Sequence, residues 1–309
     1  MSDDIFAGLV VSRFVHYLAL SVLFGGALFP FYAFGQERAD SYHRVRWLRA
    51  LLLGSALVTF ASGLVWLGFT IAAMPSEQSG LADSFTAIRN VDFAPVWLFR
   101  LLLAAVPIAL LLKRTGAVWQ ISSVLFTSLV LLASIALTGN AGGNESSTGF
   151  QHRLVDAVHL AASGAWIGAL VIFSGLSIVA GRYRGHDDLL TLHTVLSRFA
   201  GAGSIVVAVL TLSGILNPGF FLSRLDTAYG QVLLAKLAIF VTMLMLAAAN
   251  RFWLTPRLAA ILAGTPHTAH NLKTAIWALQ ASILFETLLA FLVLATVAVL
   301  GAVAPPDFR

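Results

Sequence analysis

Stretches of about twenty predominantly apolar residues return eight times along this chain, and that is the length a helix needs to cross a hydrocarbon layer. They are read as Gly8–Ala33, Leu48–Ala73, Pro95–Leu112, Val118–Leu137, Arg153–Ala180, Leu192–Leu216, Tyr229–Asn250 and Thr274–Val303. No ten-residue alternation of apolar and polar residues competes with them, so helices rather than a barrel are expected to do the spanning. The expected fold is all-α: a polytopic membrane helix bundle of about eight transmembrane helices, with residues 1–309 as one integral-membrane domain. Composition agrees, since 59% of residues are hydrophobic and only 11% charged, too apolar for a soluble surface.

Charge between the runs orients them. Arg38, Arg44, Arg46, Arg49, Lys113, Arg114, Arg182, Arg184, Arg251, Arg257 and Lys273 fall on one side, against Arg89, Arg153, Arg224 and Arg309 on the other. The first set marks the cytoplasm and places both termini in the periplasm, in a bacterial inner membrane. The formal charge of +5 is thus explained by topology rather than by nucleic acid. The N-terminal apolar run lacks a basic lead and a small-residue cleavage site, so it is expected to be a retained first span. The chain has no cysteine, which removes disulfides, thiolate metal sites and thiol catalysis. No nucleotide loop, nucleophile elbow or convincing internal repeat is evident, and no catalytic residue is expected.

Polar, metal-competent residues open the fifth run, in QHRLVDAVHLAASGAWIGAL. His152, Asp156 and His159 are offset by four and seven residues, within an arc of roughly 60° and a length of about 10 Å on one helix face. Other helices must complete any coordination shell. His16, a little over two turns into the first run, is expected at the depth of His159 on the same side. Imidazole and carboxylate suit copper, zinc or nickel, and Asp156 either ligates or orients an imidazole. Both histidines also read as structural polar contacts between helices. Met243 and Met245, two positions apart, point to different sides of the seventh run and read as packing residues. Glu286, Lys236, Arg100 and Arg198 are buried-charge candidates expected to pair with one another, and Lys236 with Glu286 are candidates for an ion or proton pathway.

Five segments resemble the copper resistance protein D family: RFVHYLALSVLFGGALF, LTGNAGGN with HRLVDAVHLAASGAWIGAL, RFAGAGSIVVAVLTLSGILN, TAYGQVLLAKLAIFVTMLMLAAANR, and ETLLAF before Pro305-Pro306. The resemblance implies a multi-helix inner-membrane protein of copper homeostasis that moves copper toward the cytoplasm, beside a CopC-like periplasmic copper carrier, and is not an enzyme. It implies a copper ion, of either oxidation state, at His16, Asp156 and His159, with Trp166 and Gly168 as packing residues. Asn140 stands where the family commonly has His, and His152 is the candidate to compensate. The competing expectation is a cytochrome b561-like oxidoreductase, with His16 and His159 as axial ligands of haem b.

Overall fold

The positions of the apolar runs reappear as helices in the computed structural model, which describes residues 2–34, 46–73, 94–113, 118–136, 147–183, 185–216, 227–264 and 268–302. In chain order these are α1 (Asp3–Ala33), α2 (Arg46–Ala72), α3 (Ala94–Leu112), α4 (Val118–Ala136), α5 (Ser147–Tyr183), α6 (His186–Leu216), α7 (Ala228–Ala249), a π-helical segment (Asn250–Leu254), α8 (Thr255–Leu262) and α9 (Thr268–Leu300). Among the described residues eight helical stretches are long and apolar enough to cross a membrane, and α7 to α8 count as one of them, Tyr229–Leu262. The protein is a polytopic membrane helix bundle. Asn140 and the loop arginines Arg38, Arg44, Arg89, Arg114, Arg184, Arg224 and Arg309 lie outside the described residues.

Several helices run past their apolar cores: α5 begins at Ser147, α6 at His186 and α9 at Thr268. Polar first turns cost little where a helix emerges from the hydrocarbon. The seventh span does not stop at Asn250-Arg251. Its backbone widens into a π turn, with the Thr255 amide donating to the Asn250 carbonyl, and then resumes with Pro256 in the first turn of α8. A first-turn proline is tolerated because its missing N–H has least to satisfy there.

α1 and α5 form the centre. α1 packs on α2, α4, α5, α6 and α9, and α5 on α4, α6 and α9 as well. The central window of α5 is 67% buried, against 11% for the spans of α6 and of α7 to α8, whose Ile205, Leu212, Val241 and Met245 face outward as lipid-facing residues do. The core joins Leu20, Leu23, Phe24 and Ala27 of α1 to Leu131 and Leu132 of α4, Ala165, Ala169 and Ile172 of α5, and Leu279 and Ile283 of α9.

Apolar side chains gain little from leaving lipid for protein, so close packing has to hold the centre together. Between α1 and α5 it does so through small residues. A Cβ on Gly25 would stand 2.7 Å from Gly168 Cα, and one on Gly164 3.7 Å from Ser21 Cα. The two helices therefore run parallel, Ser21 against Gly164 and Gly25 against Gly168.

At the opposite end of the bundle, cations close helix termini. Arg49 of α2 donates from Nε (3.1 Å) and Nη2 (2.5 Å) to the Leu111 carbonyl at the end of α3. Arg198 of α6 donates to the Ala33 carbonyl at the end of α1. These are the orphan carbonyls that C-terminal cations satisfy. Arg49→Ala is expected to destabilise the fold by about 1–2 kcal/mol, since the bond is charge-assisted but half exposed. Thermal unfolding in detergent reads this as a fall in Tm, and an unchanged Tm refutes the cap.

Candidate metal centre

His16 is buried, and its Nδ1 lies 3.1 Å from the Thr59 carbonyl and 3.1 Å from Ser62 Oγ, both on α2. A carbonyl only accepts, and Ser62 spends its own proton on the same Thr59 carbonyl at 3.2 Å. Nδ1 therefore carries the hydrogen, and the Nε2 lone pair is left for a ligand. His159 repeats this pattern on the far side of the centre. Its Nδ1 lies 2.8 Å from Ser213 Oγ of α6, and Ser213 donates to the Val209 carbonyl at 2.6 Å. With its proton on that carbonyl the hydroxyl accepts from Nδ1–H, the arrangement that leaves Nε2 open. An imidazole whose second nitrogen is anchored in this way is the usual form of a metal ligand.

The surroundings differ. Around His16 stand two guanidiniums, Arg13 over Trp66 at 5.5 Å and Arg100 over Trp97 at 5.4 Å, with the two indoles edge to face at 5.0 Å. Arg100 bears on His16 electrostatically, and it is held by Ser134 of α4 through Nε at 3.0 Å and through Nη2 to the Ser134 carbonyl. Arg13 Nε and Nη1 are buried without a hydrogen-bond acceptor. Around His159 stand the Lys236 ammonium of α7 and, one turn toward the start of α5, the Asp156 carboxylate, which interacts electrostatically with Lys236 and Tyr229. His152 is exposed one further turn out.

The depth expected for His16 and His159 fits the packing, because each lies five residues before its partner in the Ser21–Gly164 pair. Their common pocket is not formed. At 3.6 residues per turn both imidazoles lie about 140–180° around their helices from the Ser21–Gly164 and Gly25–Gly168 pairs, so they face opposite sides of the seam. Among the described residues no three His, Cys, Asp or Glu side chains gather as a metal cage. The same geometry counts against a haem, since the two rings cannot bind one iron and the seam between their helices is closed backbone to backbone.

Glu286, buried at mid-length of α9, accepts from Trp166 Nε1 at 3.0 Å and Asn250 Nδ2 at 2.9 Å. The expected pairing with Lys236 does not form. Lys236 stands fourteen residues before Asn250 on the same span, about 21 Å away along the helix. Arg100 is held by the hydroxyl and carbonyl oxygens of Ser134, and Arg198 by the Ala33 carbonyl. Asn250 sits at the π turn, a distortion common at functional positions, and its Oδ1 is buried without a partner. Met243 is 4% exposed and belongs to the core, whereas Met245 is 69% exposed on the outer surface. Sequence reasoning missed Ser62, Ser213 and Asn250. Their only signal is that a hydroxyl or amide in a membrane span needs a partner.

Copper resistance protein D of Pseudomonas syringae pv. tomato is 34% identical over 315 residues, covering 96% of this chain and 96% of that protein. The chain belongs to the copper resistance protein D family. A family model described as the copper resistance protein D-like N-terminal domain matches residues 1–150, and one described as copper resistance protein D matches residues 193–300. Inner membrane protein YebZ of Escherichia coli is 28% identical over 81% of this chain and 85% of that protein. Copper transport protein CutJ of Bacillus subtilis is 30% identical over 78% of this chain but 46% of its own length. No solved structure matches. The protein is thus a copper-related, multi-pass inner-membrane member of this family.

Proposed function

We propose that this protein accepts copper at its periplasmic face and carries it across the membrane toward the cytoplasm, both termini being periplasmic. The observation that supports this most is His159: its Nε2 is left open by the Ser213 bond, with Asp156 one turn outward on the same helix and His152 beyond it. Copper is the cargo, not a resident cofactor, and transport rather than catalysis is the activity.

Donors spread along about 10 Å of helix suit this role. A site that must release its ion cannot grip it in a closed cage, and a row of one or two donors at a time passes it on. Copper would meet His152 first, taken from a CopC-like carrier, then Asp156 and His159. His16 is assigned a separate place, because Arg13 and Arg100 oppose a cation there. With no nucleotide site evident in the sequence, the gradient and the membrane potential drive the ion, the latter supplying about 2.3 kcal/mol per charge per 100 mV.

Glu286 lies beyond the donors, at the level of the π turn, and is assigned the proton or ion step, with Lys236 as the charge that Asp156 balances at the entrance. The test is copper uptake into proteoliposomes, with metal analysis of the same preparation. Uptake above empty vesicles supports the reading, and copper bound without flux refutes transport. Glu286→Gln keeps the shape and removes the titrating proton. It is expected to cut copper-driven proton movement, read by an entrapped pH dye, to the level of empty vesicles while bound copper is unchanged. Proton movement equal to the unmodified protein removes Glu286 from the pathway.

A further inference from the structure

The two histidines are not merely similar. Moving from α1 to α5 by one constant offset takes His16 to His159, Ser21 to Gly164 and Gly25 to Gly168. Those are the residues that face each other across the central seam, so the seam maps onto itself. On the next helix of each set, Ser62-Gly63 of α2 corresponds to Ser213-Gly214 of α6. Each serine holds the imidazole Nδ1, and each glycine faces its Cε1, with a Cβ there 3.4 Å and 3.9 Å away. On the helix after that, Arg100 of α3 corresponds to Lys236 of α7, and each bears electrostatically on its histidine.

Most helix contacts follow the same rule. α1 packs on α2 as α5 does on α6, α3 on α4 as α7 does on α9, α4 on α5 as α9 does on α1, and α1 on α4 as α5 does on α9. Two depart from it: α2 packs on α3 directly whereas α6 meets the π turn and α8 that continue α7, and the α1–α6 contact has no α5–α2 match of like extent. Four spans in each half is an even number, so the halves run in the same direction. The axis relating them is then a two-fold along the membrane normal, passing through the α1–α5 seam. A repeat of this kind runs against the sequence expectation of none. The offset differs from helix to helix because the connections differ in length, and that hides the repeat from a search at a fixed period.

Among the charges beside the two histidines, one position breaks the match. The offset that takes His16 to His159 takes Arg13 to Asp156. The first pocket therefore carries two cations, Arg13 and Arg100, and the second a cation balanced by a carboxylate, Lys236 and Asp156. Within a low-dielectric bundle the sign of one nearby charge decides whether a further cation is admitted.

We infer that the chain is an internal duplicate of two four-span halves, that His16 and His159 occupy the same pocket in each half, and that Arg13 against Asp156 confines copper to the second. The confinement rests on the copper reading above, whereas the duplication does not. The test is nitrogen-15 NMR of the whole protein labelled at histidine, with His16→Gln and His159→Gln assigning the two signals. If either variant fails to fold, Ser62→Ala and Ser213→Ala assign them instead.

Without metal, both rings are expected in the neutral Nδ1–H form. On adding Cu(I), only the His159 Nε2 signal is expected to move, and Arg13→Asp is expected to make His16 respond as well. Unlike protonation forms for the two rings overturn the duplication. A His16 that responds to copper in the unmodified protein, or one that ignores it in Arg13→Asp while His159 responds, overturns the confinement. Matched rings that both ignore copper leave the duplication standing and overturn the confinement together with the copper reading.

Discussion

Copper uptake by His159→Ala in proteoliposomes is expected to fall at least about tenfold, whereas His16→Ala keeps uptake within about twofold of the unmodified protein. Replacing a group that only orients a metal ligand costs roughly 10–100-fold, so removing the imidazole itself sets a floor at the lower figure. His159 is placed to lose the most, because its Nδ1 is engaged by Ser213, which leaves Nε2 for the ion, and Asp156 stands about one turn outward on the same helix. His16 is anchored through Nδ1 as well, but Arg100 bears on it and Arg13 precedes it by about one turn on α1, over Trp66. Its loss is felt elsewhere. Without the imidazole the Nδ1 bonds to Thr59 and Ser62 vanish from the α1–α2 contact, which costs about 1–3 kcal/mol and lowers Tm. The double variant behaves in uptake as His159→Ala alone. Equal losses from the two single variants would show that both pockets handle copper and would defeat the assignment.

Gly168→Leu is expected to yield no monodisperse protein in detergent. A Cβ at this position falls 2.5 Å from Gly25 Cα and 2.8 Å from the Ser21 carbonyl oxygen. Both obstacles are backbone, so no side chain can rotate away and the two central helices must separate. Extra methylenes in a packed core cost about 1–3 kcal/mol, and Gly168→Ala is placed at the upper end of that range. Leucine adds three more carbons and also displaces the α4 and α9 contacts that depend on the seam. Gly54→Leu and Gly175→Leu are the controls, since a Cβ at either meets nothing within 4 Å. Gel filtration after a temperature ramp separates the cases. A Gly168→Leu protein as stable as the controls would mean that the seam does not hold the bundle together.

Much of this was legible in the amino-acid order. The eight spans follow from run length, since backbone polar groups in lipid must be satisfied within the helix itself. Position along a helix is equally linear, at 1.5 Å per residue, and it put His16 and His159 at one depth before any packing was known. The family was legible as well, from the resemblance of five segments spread along most of the chain. The stop after Asn250 was misread. A polar pair followed by proline ends most helices, but a π turn takes up the mismatch here and the helix goes on.

The sequence by itself determined the class of the protein, its spans and the level at which each polar residue sits, because these depend on local hydrophobicity and a fixed rise per residue. Only the tertiary structure decided which way those residues face. Azimuth around a helix has no meaning until a neighbour defines a reference, and Gly25 against Gly168 supplies it. Once that seam is in place, His16 turns to α2 and His159 to α6, the pairing expected of Glu286 and Lys236 fails for want of depth, and two alike pockets emerge with opposite charge at Arg13 and Asp156. Those choices are contacts between residues far apart in the chain, which no periodicity within a single span encodes.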